Sequence, residues 1–176
     1  MKPIKNSIRL LLSAVLISTV AFTSCKKDAT SSAGEKSYMR FKTNGVQKEL
    51  ADCNVVFMGT MPSVTPTVYY CHITSGVTAD WAALSLYTIN PMAENLTYTQ
   101  EVNTVTQTPI AGIATKNNDD GEYISWQGGW PYYEVNISLT EISDKYIKGK
   151  FSGEIRKLDG ATIQTITDGE FKADIP

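Results

Sequence analysis

Short stretches of alternating apolar and polar side chains are the feature that most constrains the fold of this chain. In residues 133–140, Tyr133, Val135, Ile137 and Leu139 alternate with polar residues, which predicts a half-buried strand. Between such stretches lie Asn-Gly and Asp-Gly pairs, which favour tight turns between antiparallel strands. No amphipathic helix is available to cover a parallel sheet. We therefore predict an all-β fold, either an antiparallel β-sandwich or a closed β-barrel of about 8–10 strands.

The two ends of this β region have the clearest turn signals. Residues 38–50 predict a hairpin, with Asn44-Gly45 supplying the two positive φ values of a type I′ turn. The C-terminal segment predicts a four-strand meander, in which Asp159-Gly160 and Asp168-Gly169 introduce the last two strands.

The N-terminus has the three parts of an export signal. A basic start is followed by an apolar stretch from Leu10 to Phe22 and then by small polar residues. This stretch lies in the length range of a signal-peptide core and is shorter than the roughly 18 apolar residues that a membrane-spanning helix needs. We predict a signal peptide over residues 1–24.

The residues around Cys25 give the signal a more specific meaning. Ala21-Phe22-Thr23-Ser24-Cys25 resembles the lipobox of bacterial lipoproteins, although Phe22 stands where Leu is usual. The following Lys26-Lys27-Asp28 resembles the start of many lipoproteins of the Bacteroidota. The resemblance implies that Cys25 is lipidated and becomes the new N-terminus, and two or more acyl chains would anchor the protein stably. An ordinary signal peptide that leaves Cys25 as a free thiol is the alternative.

The C-terminal residues extend this resemblance. The segments KGKFSGEIRK and TITDGEFKADI look like those of small, uncharacterised all-β lipoproteins of the Bacteroidota. The resemblance implies a cell-envelope location, and the outer membrane is expected. It does not distinguish the cell-surface side of that membrane from the periplasmic side. It implies no active site.

The composition of the rest of the chain separates a tether from a folded domain and argues against one class of partner. Residues 25–37 are rich in charge, Ser and Ala and predict a flexible tether, and residues 38–176 have the size of a single all-β domain. Three of the 16 basic residues and none of the 18 acidic ones lie in the signal, which leaves a formal charge of minus five. A net acidic chain without a basic stripe argues against nucleic acid as a partner.

Two further cysteines lie in a chain that is expected to leave the cytoplasm. Disulfides form and persist outside the cytoplasm, so we predict a Cys53–Cys71 bridge. The alternative is a pair of buried thiols that behave as small apolar residues, because Cys71 is in phase with Tyr69 and Ile73. A zinc site is not expected, since no pair of cysteines or histidines has ligand spacing.

Catalytic signals are scarce. His72 is the only histidine, and a lone strand histidine is usually structural. Residues 117–122, NNDDGE, do not have the ligand spacing of an EF-hand loop and predict a turn. We expect a protein without a cofactor or a metal that is not an enzyme, although a small hydrolase built on His72 or a carboxylate pair is a weaker alternative.

One aromatic loop suggests a ligand. Trp130 and Tyr132 flank Pro131 after a Gly-Gly pair, and Tyr123 lies at the start of this segment. Flat rings on a loop can stack on sugars, so Trp130, Tyr132 and Tyr123 are the candidate ligand-binding residues, against packing at a sheet edge as the alternative.

These observations predict a lipid-anchored, non-enzymatic envelope protein whose β-domain binds or scaffolds. A glycan-binding module of a surface nutrient-capture system and a barrel-type carrier of an apolar ligand are the alternative functions. The expected partners are a membrane, through lipid on Cys25, and a glycan or an envelope protein.

Overall fold

The structure is a computed structural model, and it describes residues 36–61, 64–77, 79–103, 105–106, 109–117, 119–125 and 133–176. The predicted signal peptide, Cys25 and nearly all of the predicted tether lie outside the described residues. Glu35–Pro176 form one compact unit. Among the described residues, none belongs to a helix that is long and apolar enough to span a membrane.

The described residues form eleven strands. They are β1 (Tyr38–Thr43), β2 (Val46–Ala51), β3 (Asn54–Met61), β4 (Val68–Val77), β5 (Asp80–Thr88), β6 (Leu96–Thr99), β7 (Ala111–Asn117), β8 (Gly121–Ile124), β9 (Val135–Ile142), β10 (Tyr146–Lys157) and β11 (Ile163–Asp174). The predicted all-β fold is confirmed.

These strands pair into one continuous sheet with two antiparallel halves. The first half has the order β6-β9-β10-β11-β1-β2, and the second half has the order β3-β4-β5-β7-β8. Strand β8 pairs with the end of β10, and β11 meets β3 in a single parallel pair, Asp174 with Asn54. Strand β10 also pairs with β11, so the paired strands form a closed circuit in the order β11-β3-β4-β5-β7-β8-β10 and back to β11. The halves pack as two layers, with β2 against β4 and β5, and β7 against β6 and β9.

The β1–β2 hairpin has the predicted turn. Asn44 and Gly45 have φ values of 48° and 84°, as a type I′ turn requires. Val46 pairs with Thr43 directly across the turn. This hairpin extends the first half of the sheet beyond β11.

The C-terminal meander contains three strands, β9, β10 and β11, rather than the predicted four. Asp168-Gly169 does not reverse the chain, because it lies inside β11. Arg40 pairs with Glu170 and Lys42 with Thr167, so Asp168 and Gly169 together face one residue of β1. The pair with positive φ at Asp168 thus forms a bulge in a continuous strand.

The core between the two layers combines aliphatic residues of both halves with aromatic rings, most of which come from the first half. Two Gly–Phe pairs face each other across β10 and β11: Gly149 pairs with Phe171, and Phe151 pairs with Gly169. The rings of Phe151 and Phe171 lie 6.3 Å apart, and each covers the glycine of the neighbouring strand. The absence of a side chain at these glycines therefore makes room for the two rings.

Among the described residues, the first residue of the buried hydrophobic core is Met39 and the last is Ala173. Glu35–Pro176 therefore contain the packing that stabilises the fold, and this segment can be produced as a separate domain.

Candidate functional site

The β3–β4 hairpin forms a surface without charged residues. No Asp, Glu, Lys or Arg occurs between Asp52 and Asp80, although 19% of the whole chain is charged. Three consecutive large side chains of β3 are nevertheless exposed: Val56, Phe57 and Met58. An uncharged surface with exposed apolar side chains favours an uncharged ligand or partner.

A bulge at Val56 determines which side chains of β3 face outward. Val55 pairs with Ile73 and is buried, but the register shifts before the next pair, Phe57 with His72. After the shift, Phe57 lies on the outward face of the sheet beside His72. The ring of Phe57 is 60% exposed and meets the His72 ring edge-on, with centroids 6.4 Å apart.

His72 is held through both ring nitrogens. Its Nε2 lies 2.6 Å from the hydroxyl of Tyr87, and its Nδ1 lies 3.1 Å from the hydroxyl of Ser85. The β4–β5 register brings these residues together, because it pairs His72 with Ser85 and Tyr70 with Tyr87. We call Phe57, Tyr70, His72, Ser85 and Tyr87 the outer cluster.

The outer cluster is electrically neutral near pH 7. Burial lowers the pKa of His72, and burial together with the neighbouring Tyr70 raises the pKa of Tyr87. A neutral imidazole donates through one nitrogen and accepts through the other. The two hydroxyls and the imidazole N–H supply three hydrogens, and the two bonds within the chain Ser85–His72–Tyr87 use two. In either tautomer, one hydroxyl hydrogen is therefore left for a ligand or for water.

A shallow groove of about 210 Å³ adjoins this chain of hydrogen bonds. Its lining includes Ser85, Tyr87, Gly112, Pro109 and Ser125. Gly112 keeps the groove open, because it has no side chain on this face of β7. At the far side, the Ser125 hydroxyl accepts a hydrogen bond from the Ile113 N–H.

The predicted aromatic loop follows Ser125 directly in the chain. Trp130 and Tyr132 lie outside the described residues, so their role stays a prediction. Tyr133, at the end of the loop, accepts a hydrogen bond from Arg156 at 3.0 Å.

Tyr123 does not match the prediction of a ligand-binding residue. Its side chain is 1% exposed, and its hydroxyl donates a 2.7 Å hydrogen bond to Asp120. Lys157 and Gln164 bind the same carboxylate, at 3.3 and 2.9 Å. Burial and the bond to Asp120 raise the pKa of Tyr123 to about 12. Tyr123 therefore stabilises the corner where β8 meets β10 and offers no ring face to a ligand.

The predicted Cys53–Cys71 bridge is also absent, since both residues are buried free thiols. Cys53 precedes β3 and interacts with Ser75, whereas Cys71 pairs with Met58 and Leu86. Ser75 lies four residues beyond Cys71 along β4, a separation of roughly 13 Å. A disulfide needs Cα atoms within about 7 Å, so this register keeps the two cysteines apart. Burial raises the pKa of both thiols to about 12.

Labelling of the domain with a thiol reagent tests this correction. We expect two labelled thiols after denaturation without a reductant, and slow labelling of the folded domain because both thiols are buried and protonated. Prior reduction should not increase the final number. Labelling of the denatured protein that occurs only after reduction would restore the disulfide.

Sequence reasoning missed Ser85 and Tyr87. The sequence places His72 on the same face as Tyr70, but it does not give the register of β5 against β4. The only available signal was the alternation along β5, which puts Ser85 and Tyr87 on one face. No group of three or more potential ligand residues that could hold a metal ion occurs among the described residues.

Comparison of the chain with protein-family models, curated proteins and solved structures gives no match.

Proposed function

We propose that the chain is a lipid-anchored cell-envelope protein whose β-domain binds an uncharged glycan through the outer cluster and catalyses no reaction. The observation that carries the proposal is the exposed ring of Phe57 beside the Ser85–His72–Tyr87 chain. The proposed location is the outer membrane, on either its cell-surface or its periplasmic side.

The anchor is supported by the sequence around Cys25. A short apolar stretch ends at a small residue and a cysteine, and charged residues follow at once. Diacylation of Cys25 would attach the domain to the membrane through more than one acyl chain, which is the requirement for stable anchoring.

A glycan fits the chemistry of the outer cluster. Sugar rings present apolar C–H faces that pack on aromatic rings and hydroxyls that exchange hydrogen bonds. Phe57 supplies an exposed ring, and the Ser85–His72–Tyr87 chain supplies one unused hydroxyl hydrogen together with acceptor oxygens. The uncharged β3–β4 surface favours a neutral sugar over an acidic one.

Binding fits this geometry better than hydrolysis. In a catalytic triad, one imidazole nitrogen faces the nucleophile and a carboxylate orients the other. Here the hydroxyl of Tyr87 takes the place of the carboxylate, and this neutral hydroxyl has no negative charge to stabilise an imidazolium. The shallow groove also differs from the deep pocket that a hydrolase needs.

The carrier alternative in its barrel form is less well supported. A barrel-type carrier requires an empty centre, whereas aromatic and aliphatic side chains fill the described interior between the layers.

A glycan-array screen of Glu35–Pro176 tests the proposal with Phe57→Ala as the variant. We expect at least about tenfold weaker binding, because the variant removes a stacking ring and its apolar contact area. Val46→Ala is the matched control, since Val46 is an equally exposed apolar strand residue of the other half of the sheet. It should bind as the unmodified domain does.

Two results would contradict the proposal: no glycan bound by the unmodified domain, or equal binding by Phe57→Ala. A Trp130→Ala variant in the same screen separates the sites. Loss of binding in Trp130→Ala with retention in Phe57→Ala would move the site to the aromatic loop.

A further inference from the structure

An apolar pocket of about 290 Å³ lies between the two layers at the ends of β3 and β4. We call it the end pocket. Its lining includes Met58, Tyr69, Met92, Leu139, Ile142 and Ile147. The first two residues belong to the second half of the sheet, and the last three belong to β9 and β10 of the first half.

The bulge in β3 explains why a space remains here. After the register shift, Met58 pairs with Cys71, so Met58 lies on the inward face of the sheet. Cys71 is almost fully buried, but Met58 is 50% exposed. The opposite layer therefore covers the neighbouring strand without reaching Met58. Leu139 and Ile147, both buried, form the facing wall of the pocket.

The lining determines the class of ligand. It contains no charged side chain, so a charged group inside it would lose hydration without gaining a partner. An enclosed apolar cavity of about 150 Å³ holds a benzene ring, so a pocket of about 290 Å³ has room for a larger apolar molecule. Two methionines, with flexible and polarisable side chains, let the lining adapt to the shape of a ligand.

We infer that the end pocket binds a small uncharged apolar molecule of about the size of two fused aromatic rings. The pocket shares only Tyr70 with the outer cluster, and the inference does not depend on glycan binding. Met58 lies at the mouth of this site, because it is half-exposed, whereas Leu139 and Ile147 on the facing wall are buried.

Methyl NMR of methionine-labelled Glu35–Pro176, titrated with naphthalene, tests the inference directly. The segment contains Met39, Met58, Met61 and Met92. We expect saturable shifts of the Met58 and Met92 methyl signals and an unchanged signal for Met39, which is completely buried in the core. The anion 2-naphthoate, with the same rings and a charge, should bind at least about tenfold more weakly.

Variants then locate the bound probe. Met58→Trp should fill the pocket and abolish the shift of the Met92 methyl, and Met92→Trp should fill it and abolish the shift of the Met58 methyl. Val46→Trp, at an exposed strand position of the first half, is the matched control and should bind naphthalene normally. An unchanged Met39 signal in each variant shows that the core remains folded.

Three outcomes would overturn the inference: no saturable shift, equal shifts at Met39, or retained binding in both tryptophan variants. Failure of naphthalene binding and failure of glycan binding can be told apart. Phe57→Ala should leave the naphthalene response intact, and a domain that binds no glycan can still give it.

Discussion

Replacing Cys25 with serine is expected to leave the protein unlipidated and to move it from the membrane fraction to the soluble fraction. The thiol is the acceptor of the lipid in the proposed modification, and a hydroxyl does not replace it. Each buried methylene of an acyl chain contributes roughly 0.8 kcal/mol to membrane binding, so losing all chains removes the anchor completely. Metabolic labelling with a radioactive fatty acid, followed by fractionation, measures both effects.

A matched control for this experiment lies one residue earlier. Ser24→Ala keeps a small residue before the cysteine, as the lipobox resemblance requires, and should be lipidated normally. Fatty-acid label that persists in Cys25→Ser would refute the anchor and would favour an ordinary signal peptide. Membrane association without label would indicate attachment through another part of the protein.

Replacing Gly149 with alanine is expected to destabilise the domain by about 3 kcal/mol, because a methyl group overpacks this part of the core. A Cβ at Gly149 would overlap the carbonyl oxygen of Ser138 and would lie 2.6 Å from Cζ of Phe171. Strand β10 pairs with β9 on one side and β11 on the other, so its backbone has little freedom to move. Urea denaturation of Glu35–Pro176 gives the change in the free energy of unfolding.

Gly112→Ala is the control for a change from glycine to alanine in a strand. A Cβ there would meet its nearest neighbour, the Ser125 hydroxyl, at 3.6 Å, which is an ordinary contact. We expect a change of no more than about 0.5 kcal/mol. Equal destabilisation by the two variants would show that loss of glycine itself, rather than the overlap with Ser138 and Phe171, causes the effect.

The sequence predicted those features that depend on neighbouring residues. Asn44 and Gly45 adopt left-handed conformations because these residue types tolerate positive φ, and the hairpin followed from this pair and the alternating residues on either side of it. The alternation in β9 likewise gave its buried face, with Val135, Ile137 and Leu139 inside. An Asp-Gly pair led to a wrong prediction at Asp168-Gly169. The positive φ of Asp168 belongs to a bulge inside β11, not to the predicted turn.

The candidate sites depended on strand register, which the sequence does not contain. Ser85 and Tyr87 became partners of His72 only through the β4–β5 pairing, and the end pocket follows from a one-residue shift at Val56. The position of Cys53 opposite Ser75, rather than Cys71, has the same origin. A shift of one residue moves a side chain to the other face of a sheet, so errors in register change sites completely while leaving the fold class intact.

The sequence by itself determined the strand-forming pattern, the turn at Asn44-Gly45 and the lipobox-like segment at Cys25, since each depends on residues adjacent in the chain. Only the tertiary structure decided that Tyr123 is buried on Asp120, that the two domain cysteines stay apart, and that the layers separate beside Met58. The physical reason is that these features arise where strands distant in sequence pair and pack, and the closing circuit of the sheet fixes all of those pairings together.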